Sequence, residues 1–220
     1  MKVSACGSTA RLEELESALP DSIDLNIIET VKASAIRNSD LIFDLYADEQ
    51  PERLKDYYTD TNATIILSSV KNTLLEMTSS ISAKDKAHFI GMNCLPTFIH
   101  RSVKEFSTID DQSNKILEEL GTALNWDYEI VEDRCGMVSP RVIFMIINEA
   151  YNTLQEGTAE KAAIDKAMKL GTNYPMGPFE WSEKIGLNNI VETLEAIFNE
   201  TMDERYKIAP LLRKESIIYR

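Results

Sequence analysis

Short apolar segments alternate with segments of helical spacing over the first 132 residues. The apolar segments are rich in β-branched residues and in places alternate apolar with polar positions, which predicts strands. The predicted strands are Lys2–Cys6, Ile23–Ile27, Leu41–Tyr46, Thr64–Val70, His88–Leu95, Val103–Ile109 and Tyr128–Val131. The predicted helices between them are Thr9–Leu19, Ala33–Arg37, Pro51–Tyr58, Lys71–Ser80 and Asp111–Leu124. This alternation favours a mostly parallel sheet covered by helices.

The pattern changes near Arg134, where strand-like segments end. Val142–Leu154 is almost continuously apolar, so we predict a helix that is buried all round. A helix capped by Thr158, a short helix after Pro178, a helix capped by Asn188 and a last turn at Pro210 follow. The predicted fold class is therefore α/β plus all-α: a reduced Rossmann-like domain over residues 1–132, then a helical domain over residues 133–220.

Composition and charge exclude several classes of partner. The net charge of −13 argues against binding to nucleic acid or to an anionic membrane. No segment is apolar enough to span a bilayer, and the N-terminus lacks the core of a signal peptide. The cysteines, Cys6, Cys94 and Cys135, are few and widely spaced, so we expect no disulfide framework, no metal site and a cytoplasmic location.

A rigid corner is predicted at Gly171–Trp181, whose sequence is Gly-Thr-Asn-Tyr-Pro-Met-Gly-Pro-Phe-Glu-Trp. Proline removes a backbone donor and moves the residue before it out of the helical region. Glycine commonly follows the end of a helix, whereas proline suits the first position of the next one. The segment therefore predicts a sharp connection between two helices.

This corner and the segments around it resemble the C-terminal helical domain of the 3-hydroxyacyl-CoA dehydrogenase family. The resemblance runs from about Arg134 to Arg220. It rests on Asn148-Glu149-Ala150, Glu156-Gly157, Ile164–Gly171, Ile185-Gly186-Leu187 and Pro210–Lys214. It implies an NAD-binding Rossmann domain, an acyl-CoA type of ligand and dimer contacts made by the helical domain. We accordingly expect a homodimer.

The dinucleotide-binding turn of such a domain falls on Cys6–Arg11. The family's Gly-x-Gly-x-x-Gly motif is here Cys-Gly-Ser-Thr-Ala-Arg, which keeps Gly7 alone. Ser8 and Thr9 remain candidates for capping a helix or contacting a phosphate. Glu29, at the end of the second predicted strand, is either a ligand of the ribose hydroxyls or a solvated acid.

The CoA-binding helical hairpin of the family has no room in this chain. In the family it follows the second strand. Here Thr30–Ser39 provides ten residues before the next strand, and one helix of that length spans only about 15 Å. The acyl-CoA surface is therefore at least partly missing.

The family's catalytic histidine and its glutamate partner fall on other residue types. The strand Phe89–Met92 matches the family, but Asn93 occupies the histidine position, and the glutamate position falls on Lys104, next to Glu105. A neutral amide cannot replace imidazole as a general base near neutral pH. His100 is an outside candidate, with Glu105 or Asp110 as its partner.

The two groups that hold the substrate oxygen in the family are also displaced. The family's asparagine falls on Ser139 or Pro140, and its Asn-Thr-Ser-Ser segment falls on Val70–Thr73, which includes Asn72. Three hypotheses follow: an interaction or structural protein without turnover, an NAD-dependent dehydrogenase with rearranged catalytic groups, and a sensor that binds a dinucleotide or CoA without chemistry.

Overall fold

A computed structural model describes residues 1–32, 37–56, 63–81 and 88–219. The chain divides into two compact units, Met1–Met137 and Val138–Arg220. The boundary that we placed between residues 132 and 133 stays a prediction. Most of the predicted helix Ala33–Arg37 and the end of Pro51–Tyr58 lie outside the described residues. Within the described ranges, no helix is both long and apolar enough to cross a bilayer.

The first unit is built on a seven-stranded sheet, which confirms the mostly parallel sheet predicted from the sequence. The strand order is β2-β1-β3-β4-β5-β6-β7, and every pair is parallel except β5 with β6. The strands are β1 (Val3–Cys6), β2 (Leu25–Ile27), β3 (Leu41–Asp44), β4 (Thr64–Ser68), β5 (Phe89–Met92), β6 (Val103–Ser107) and β7 (Asp127–Ile130). The helices are α1 (Thr9–Ala18), α2 (Leu74–Met77) and α3 (Asp111–Leu124), with a 3₁₀ turn at Pro51–Asp56.

Both faces of the central strands are buried. Alternate side chains point to opposite faces of a strand, so a single strand contributes to two cores. Leu41 and Phe43 of β3 join one apolar cluster with Ile66 and Ile90, whereas Ile42 joins a second cluster on the other face. Burial on two faces explains why these strands appear as continuous apolar runs.

The helix after β4 is shorter than predicted. We expected Lys71–Ser80, but α2 begins only at Leu74, because Thr73 caps it through a capping box with Glu76. The residues before it form a turn in which the N–H groups of Val70 and Lys71 donate to Asp48 Oδ2 at 3.1 and 3.3 Å. The Asp48 carboxylate thus holds the backbone at Val70 and Lys71 in a turn outside the helix.

The second unit is helical, as predicted. Its helices are α4 (Ser139–Gln155), α5 (Lys161–Thr172), α6 (Pro178–Ile185), α7 (Leu187–Thr201) and α8 (Pro210–Ile218), with a 3₁₀ turn at Glu204–Tyr206. α5 ends where the corner begins, and Pro178 opens α6. Asn148, buried in α4, donates to Lys207 O at 2.9 Å and accepts from Ala209 N at 2.8 Å, which ties the segment before α8 to α4.

Three local predictions in this unit were wrong. Thr158 does not cap α5, whose N-cap is Glu160, and α7 starts beyond Gly186 rather than at a cap by Asn188. The helix α4 is not buried all round, because Val142 is 58% exposed. Apolar residue types alone do not tell a buried helix from one that carries an exposed apolar stripe.

The corner between α5 and α6 depends on Asp165 and Gly177. The Asp165 carboxylate, buried in α5, accepts from Phe179 N at 2.8 Å and from Glu180 N at 3.2 Å in the first turn of α6. A Cβ on Gly177 would lie 2.3 Å from Asp165 Oδ1. Glycine is therefore required for the carboxylate to reach two helix N–H groups that have no partner within α6.

We predict that Gly177→Ala lowers the free energy of unfolding by about 3 kcal/mol, because the new methyl group displaces the Asp165 carboxylate from both amides. Urea denaturation followed by circular dichroism measures this loss. The matched control is Gly171→Ala in α5, where a Cβ would meet no atom within 4 Å. There we expect a gain of about 0.5 kcal/mol from helix propensity. Equal effects of the two substitutions would contradict the proposed contact.

Candidate functional site at the carboxyl edge of the sheet

The carboxyl ends of β1, β3, β4 and β5 lie at one edge of the sheet. The chain moves from β1 outward to β2 and then returns to β3 on the other side of β1, which creates a topological switch point between β1 and β3. Ligands of open α/β sheets bind in the crevice outside such a point. This edge is therefore where the predicted site residues of the first unit should be sought.

Gly7 and Ser8 connect β1 to α1, whose first residue is Thr9. Ser8 is the N-cap of α1, and its Oγ accepts from the N–H of Arg11 at 3.5 Å. Thr9 is exposed at the first position of the helix. A Cβ on Gly7 would lie 2.9 Å from Leu45 Cβ, so the glycine allows a close contact with an internal leucine. Glu29 is exposed two residues beyond the end of β2.

Asn93 follows β5 and lies opposite Glu105 of β6. Asn93 is 3% exposed, its N–H donates to Glu105 O at 3.1 Å, and its Nδ2 donates to Glu105 Oε2 at 3.4 Å. The antiparallel register pairs Met92 with Phe106, so Asn93 and Glu105 share a face of the sheet. The structure thus places Glu105, rather than Lys104, beside Asn93.

Lys104 belongs to the opposite face of β6. Its Nζ donates to Arg101 O at 2.6 Å and lies 4.9 Å from the centroid of the Trp126 ring. Burial lowers the pKa of Lys104, whereas the charge of Asp127 acts to raise it. A buried ammonium packed on an indole ring is a structural contact, and it is directed away from Asn93.

His100 pairs with Glu14, not with Glu105 or Asp110 as we expected. Its Nδ1 lies 3.3 Å from Glu14 Oε2, and the same carboxylate accepts from Thr97 N at 2.7 Å. Asp110 instead caps α3. The His100 side chain is 54% exposed, which is typical of a surface ion pair.

The other predicted residues are engaged in structural contacts. Asn72 Nδ2 donates to Asp48 O at 3.0 Å, so its amide holds a turn. Pro140 is buried near the start of α4 and has no side-chain hydrogen-bonding group. Cys94 is fully buried, and burial raises the pKa of its thiol, which disfavours the reactive thiolate. Among the described residues, no group of three or more metal-binding side chains is present.

Two buried serines at this edge were missed by the sequence analysis. A Cβ on Gly91 of β5 would lie 2.2 Å from Ser69 Oγ and 2.3 Å from Ser107 Oγ. The glycine therefore lets the two hydroxyls approach each other on the face that carries Asn93. Neither serine belongs to a recognisable motif, because β4 and β6 bring them together only in the folded sheet.

Arg11 was also missed as a site residue. Its side chain is buried, its Nη1 donates to Leu45 O, and its Nη2 lies 2.5 Å from Glu49 Oε1. Lys71 Nζ lies 3.6 Å from the same oxygen of Glu49. The available signal was the sequence itself, since an arginine stands where the dinucleotide motif has its third glycine.

Asp44, at the end of β3, is a buried carboxyl with a perturbed acidity. It accepts from Tyr46 N at 2.9 Å and from Cys6 Sγ at 3.3 Å. Burial raises the pKa of Asp44 above its ordinary value, against the lowering effects of the Tyr46 amide and of Arg53. The folded chain therefore holds this proton to a higher pH than the unfolded chain does.

This pKa shift predicts a pH-dependent effect of Asp44→Asn. Because the folded pKa is raised, Asp44 contributes stability at low pH that is lost as the pH rises through the folded pKa. The asparagine has no such loss, so the stability of Asp44→Asn relative to the natural chain should increase from pH 4.5 to pH 7.5. Urea midpoints at several pH values measure the difference.

The control is Asp110→Asn, for which the sign is reversed. The amide of Ser113 donates to Asp110 at 2.8 Å and lowers its pKa, so its contribution is lost as the pH falls. The relative stability of this variant should therefore decrease as the pH rises to about 3.8, the ordinary pKa of the group, and stay level from pH 4.5 to pH 7.5. Parallel pH profiles for the two variants would contradict the interpretation of Asp44.

Comparisons with known proteins agree with the resemblance found in the sequence. Residues 136–216 match the family model of the 3-hydroxyacyl-CoA dehydrogenase, C-terminal domain. A probable 3-hydroxybutyryl-CoA dehydrogenase of Deinococcus radiodurans is 36% identical over 131 residues, which cover 58% of this chain and 47% of that protein. The 3-hydroxybutyryl-CoA dehydrogenase of Bradyrhizobium diazoefficiens is 27% identical over 195 residues, which cover 86% of this chain and 66% of that protein.

The fold agrees as well. The crystal structure of (S)-3-hydroxybutyryl-CoA dehydrogenase from Ralstonia eutropha has a TM-score of 0.72 at 18% identity and covers 99% of this chain and 94% of its own. The matched regions of the first three curated relatives span 47%, 18% and 29% of their lengths. The helical unit therefore matches the C-terminal domain of the 3-hydroxyacyl-CoA dehydrogenase family, and the whole chain shares the fold of solved family members.

Proposed function

We propose that this chain is a 3-hydroxyacyl-CoA dehydrogenase-like protein without dehydrogenase turnover, which acts as a homodimer through its helical unit. The observation that carries the proposal is the pairing of Asn93 with Glu105, at the place where the family resemblance calls for a histidine and a glutamate. The arrangement keeps the contact between the two strands but not the group that moves a proton.

The chemistry of the pair supports this proposal. Oxidation of a 3-hydroxy group requires a base for the hydroxyl proton, and a base of this kind contributes about 10²–10⁴ to the rate. The Asn93 amide does not ionise near neutral pH, and its Nδ2 already donates to Glu105. His100, the outside candidate, is paired with Glu14 at the surface. We assign no proton-transfer role to either residue.

An exposed apolar groove in the helical unit supports the homodimer. The groove has a volume of about 860 Å³ and lies along α4 and α5. Its apolar lining consists of Val142, Met145, Ile146, Ala150, Ala159, Ala163, Ile164, Ala167, Met168 and Pro178. Apolar residues on α4 recur at three- and four-residue spacing, which is the form of a helix face that packs on another helix.

A second copy of the chain suits this groove because its charged lining includes both signs. Glu149 of α4 lines the groove together with Arg141 and Arg205, which also pair with Glu200 and Asp203 within the chain. In a two-fold symmetric contact each residue meets the partner's complementary surface, so acidic and basic groups on one face can pair across the axis. An apolar centre with charged groups at its margin is the usual composition of such an interface.

We expect no NAD-dependent oxidation of (S)-3-hydroxybutyryl-CoA, measured as NADH absorbance. The rate should be at least about 100-fold below that of an active family member assayed in parallel, because neither Asn93 nor His100 takes the place of the histidine base. The Deinococcus radiodurans relative serves as the positive control. Turnover that disappears in His100→Ala would overturn the proposal and support a dehydrogenase with rearranged catalytic groups.

We predict that the chain elutes as a dimer, with twice its mass of 24.9 kDa by light scattering at micromolar concentration. Val142→Glu places a charge in the groove and should weaken the dimer by about 3 kcal/mol, or more than 100-fold. The control is Ile217→Glu on α8, which changes an apolar side chain that is 71% exposed and does not line the groove. A monomeric natural chain, or a Val142→Glu dimer of unchanged affinity, would contradict the homodimer.

A further inference from the structure

We infer that Arg11 and Leu45 close the crevice at the switch point of the sheet from inside, so that NAD does not bind there. The inference deepens the proposed function, because a closed crevice would leave hydride transfer without its cofactor. It nevertheless depends on residues other than Asn93 and Glu105, and it can fail independently of them.

The path of the Arg11 side chain carries the first step. Arg11 lies in the first turn of α1, which follows β1, whereas Leu45 follows β3, the neighbouring strand. The guanidinium donates to Leu45 O, so the side chain crosses the gap between the carboxyl ends of these two strands. In a dinucleotide-binding domain the ligand lies in the crevice at this switch point, and the third glycine of the motif allows the helix to pack closely on the strand.

Leu45 blocks the approach of the cofactor's pyrophosphate to the glycine turn. The pyrophosphate needs an open approach to the glycine turn, since it is bound by backbone N–H groups there. Leu45 is fully buried, and a Cβ on Gly7 would lie 2.9 Å from both its Cβ and its Cδ1. The space that the missing Cβ leaves above Gly7 is therefore filled by a leucine side chain rather than open to a phosphate.

The charge of Arg11 also has a partner within the chain. A cation in the first turn of a helix opposes the macrodipole, so Arg11 needs an anion close by. Glu49 provides it, with a side chain that is 28% exposed at the solvent end of the pair. Lys71 Nζ lies 3.6 Å from the same oxygen of Glu49, so the two cations share one carboxylate. The guanidinium of Arg11 is thus paired within the chain.

These observations together show that the residues present do not fit the pyrophosphate of NAD. The family resemblance implies the cofactor, but the glycine turn has been rebuilt as an internal contact between α1 and the turn after β3. Arg11 therefore acts as a positioning residue that holds that turn, and Glu49 acts as its counter-ion.

The first test is a titration of the full chain with NADH, followed by nicotinamide fluorescence and by the thermal unfolding midpoint. We expect no saturation up to 1 mM NADH and no shift of the midpoint. The Deinococcus radiodurans relative provides the positive control under the same conditions. Saturable binding of NADH to the natural chain would overturn the inference.

The second test measures the coupling of Arg11 with Glu49 by a double-mutant cycle in urea. Arg11→Met and Glu49→Gln should each lower the unfolding midpoint, and the double variant should lose less than the sum of the two. The control is Lys115→Met, a cation removed from the exposed face of α3, which should not depend on Glu49. Additive losses for Arg11 and Glu49 would overturn the internal closure, and so would an unchanged midpoint in Arg11→Met.

The two proposals give different results in these tests. NADH binding without oxidation of (S)-3-hydroxybutyryl-CoA would contradict the closed crevice but not the proposed absence of turnover. Turnover with NAD would contradict both proposals. Absence of NADH binding, combined with a monomeric mass, would support the closed crevice and contradict the proposed homodimer.

Discussion

A carboxylate that accepts two consecutive backbone N–H groups is the interaction on which the connections of this chain depend. At the start of a helix or in a tight turn, successive N–H groups point the same way and lack partners in the backbone. One carboxylate can satisfy both, and it then fixes where the segment begins. Among the described residues the instances include Asp48 with Val70 and Lys71, Asp110 with Gln112 and Ser113, Asp133 with Leu74 and Leu75, and Asp165 with Phe179 and Glu180.

Side chains also pair with other groups of the chain at the carboxyl edge of the sheet. Two polar groups at this edge are paired within the chain: Asn93 with Glu105, and Arg11 with Leu45 and Glu49. Among the described residues, the buried hydroxyls of Ser69 and Ser107 have no such partner. A binding site for a ligand needs polar groups whose partners are missing until the ligand arrives. The internal pairing of Asn93 and Arg11 therefore orders these two side chains and lowers their capacity to bind a ligand, in agreement with the proposed loss of function.

The sequence predicted what depends on local pattern and missed what depends on register or on distant contacts. The strands and the corner at Gly177 followed from periodicity and from proline and glycine, whose effects are local. Glu105 could be placed beside Asn93 only once β5 and β6 were known to be antiparallel. Leu45, which accepts a hydrogen bond from Arg11, lies 34 residues away along the chain, and no local sequence pattern predicts this contact. Val142 shows that an apolar residue can equally well face a core or a groove.

In the two units, the residues that resemble the family differ in how far they are needed for folding. In the helical unit the corner must keep Gly177, because Asp165 occupies the space of its Cβ. A relative that lost activity would still retain such residues, since losing them costs stability. In the sheet unit Asn93 makes hydrogen bonds of its own with Glu105, so an asparagine at this position is compatible with the sheet. Strong likeness in the helical unit is therefore evidence of common fold, whereas activity has to be judged from the few side chains at the carboxyl edge of the sheet.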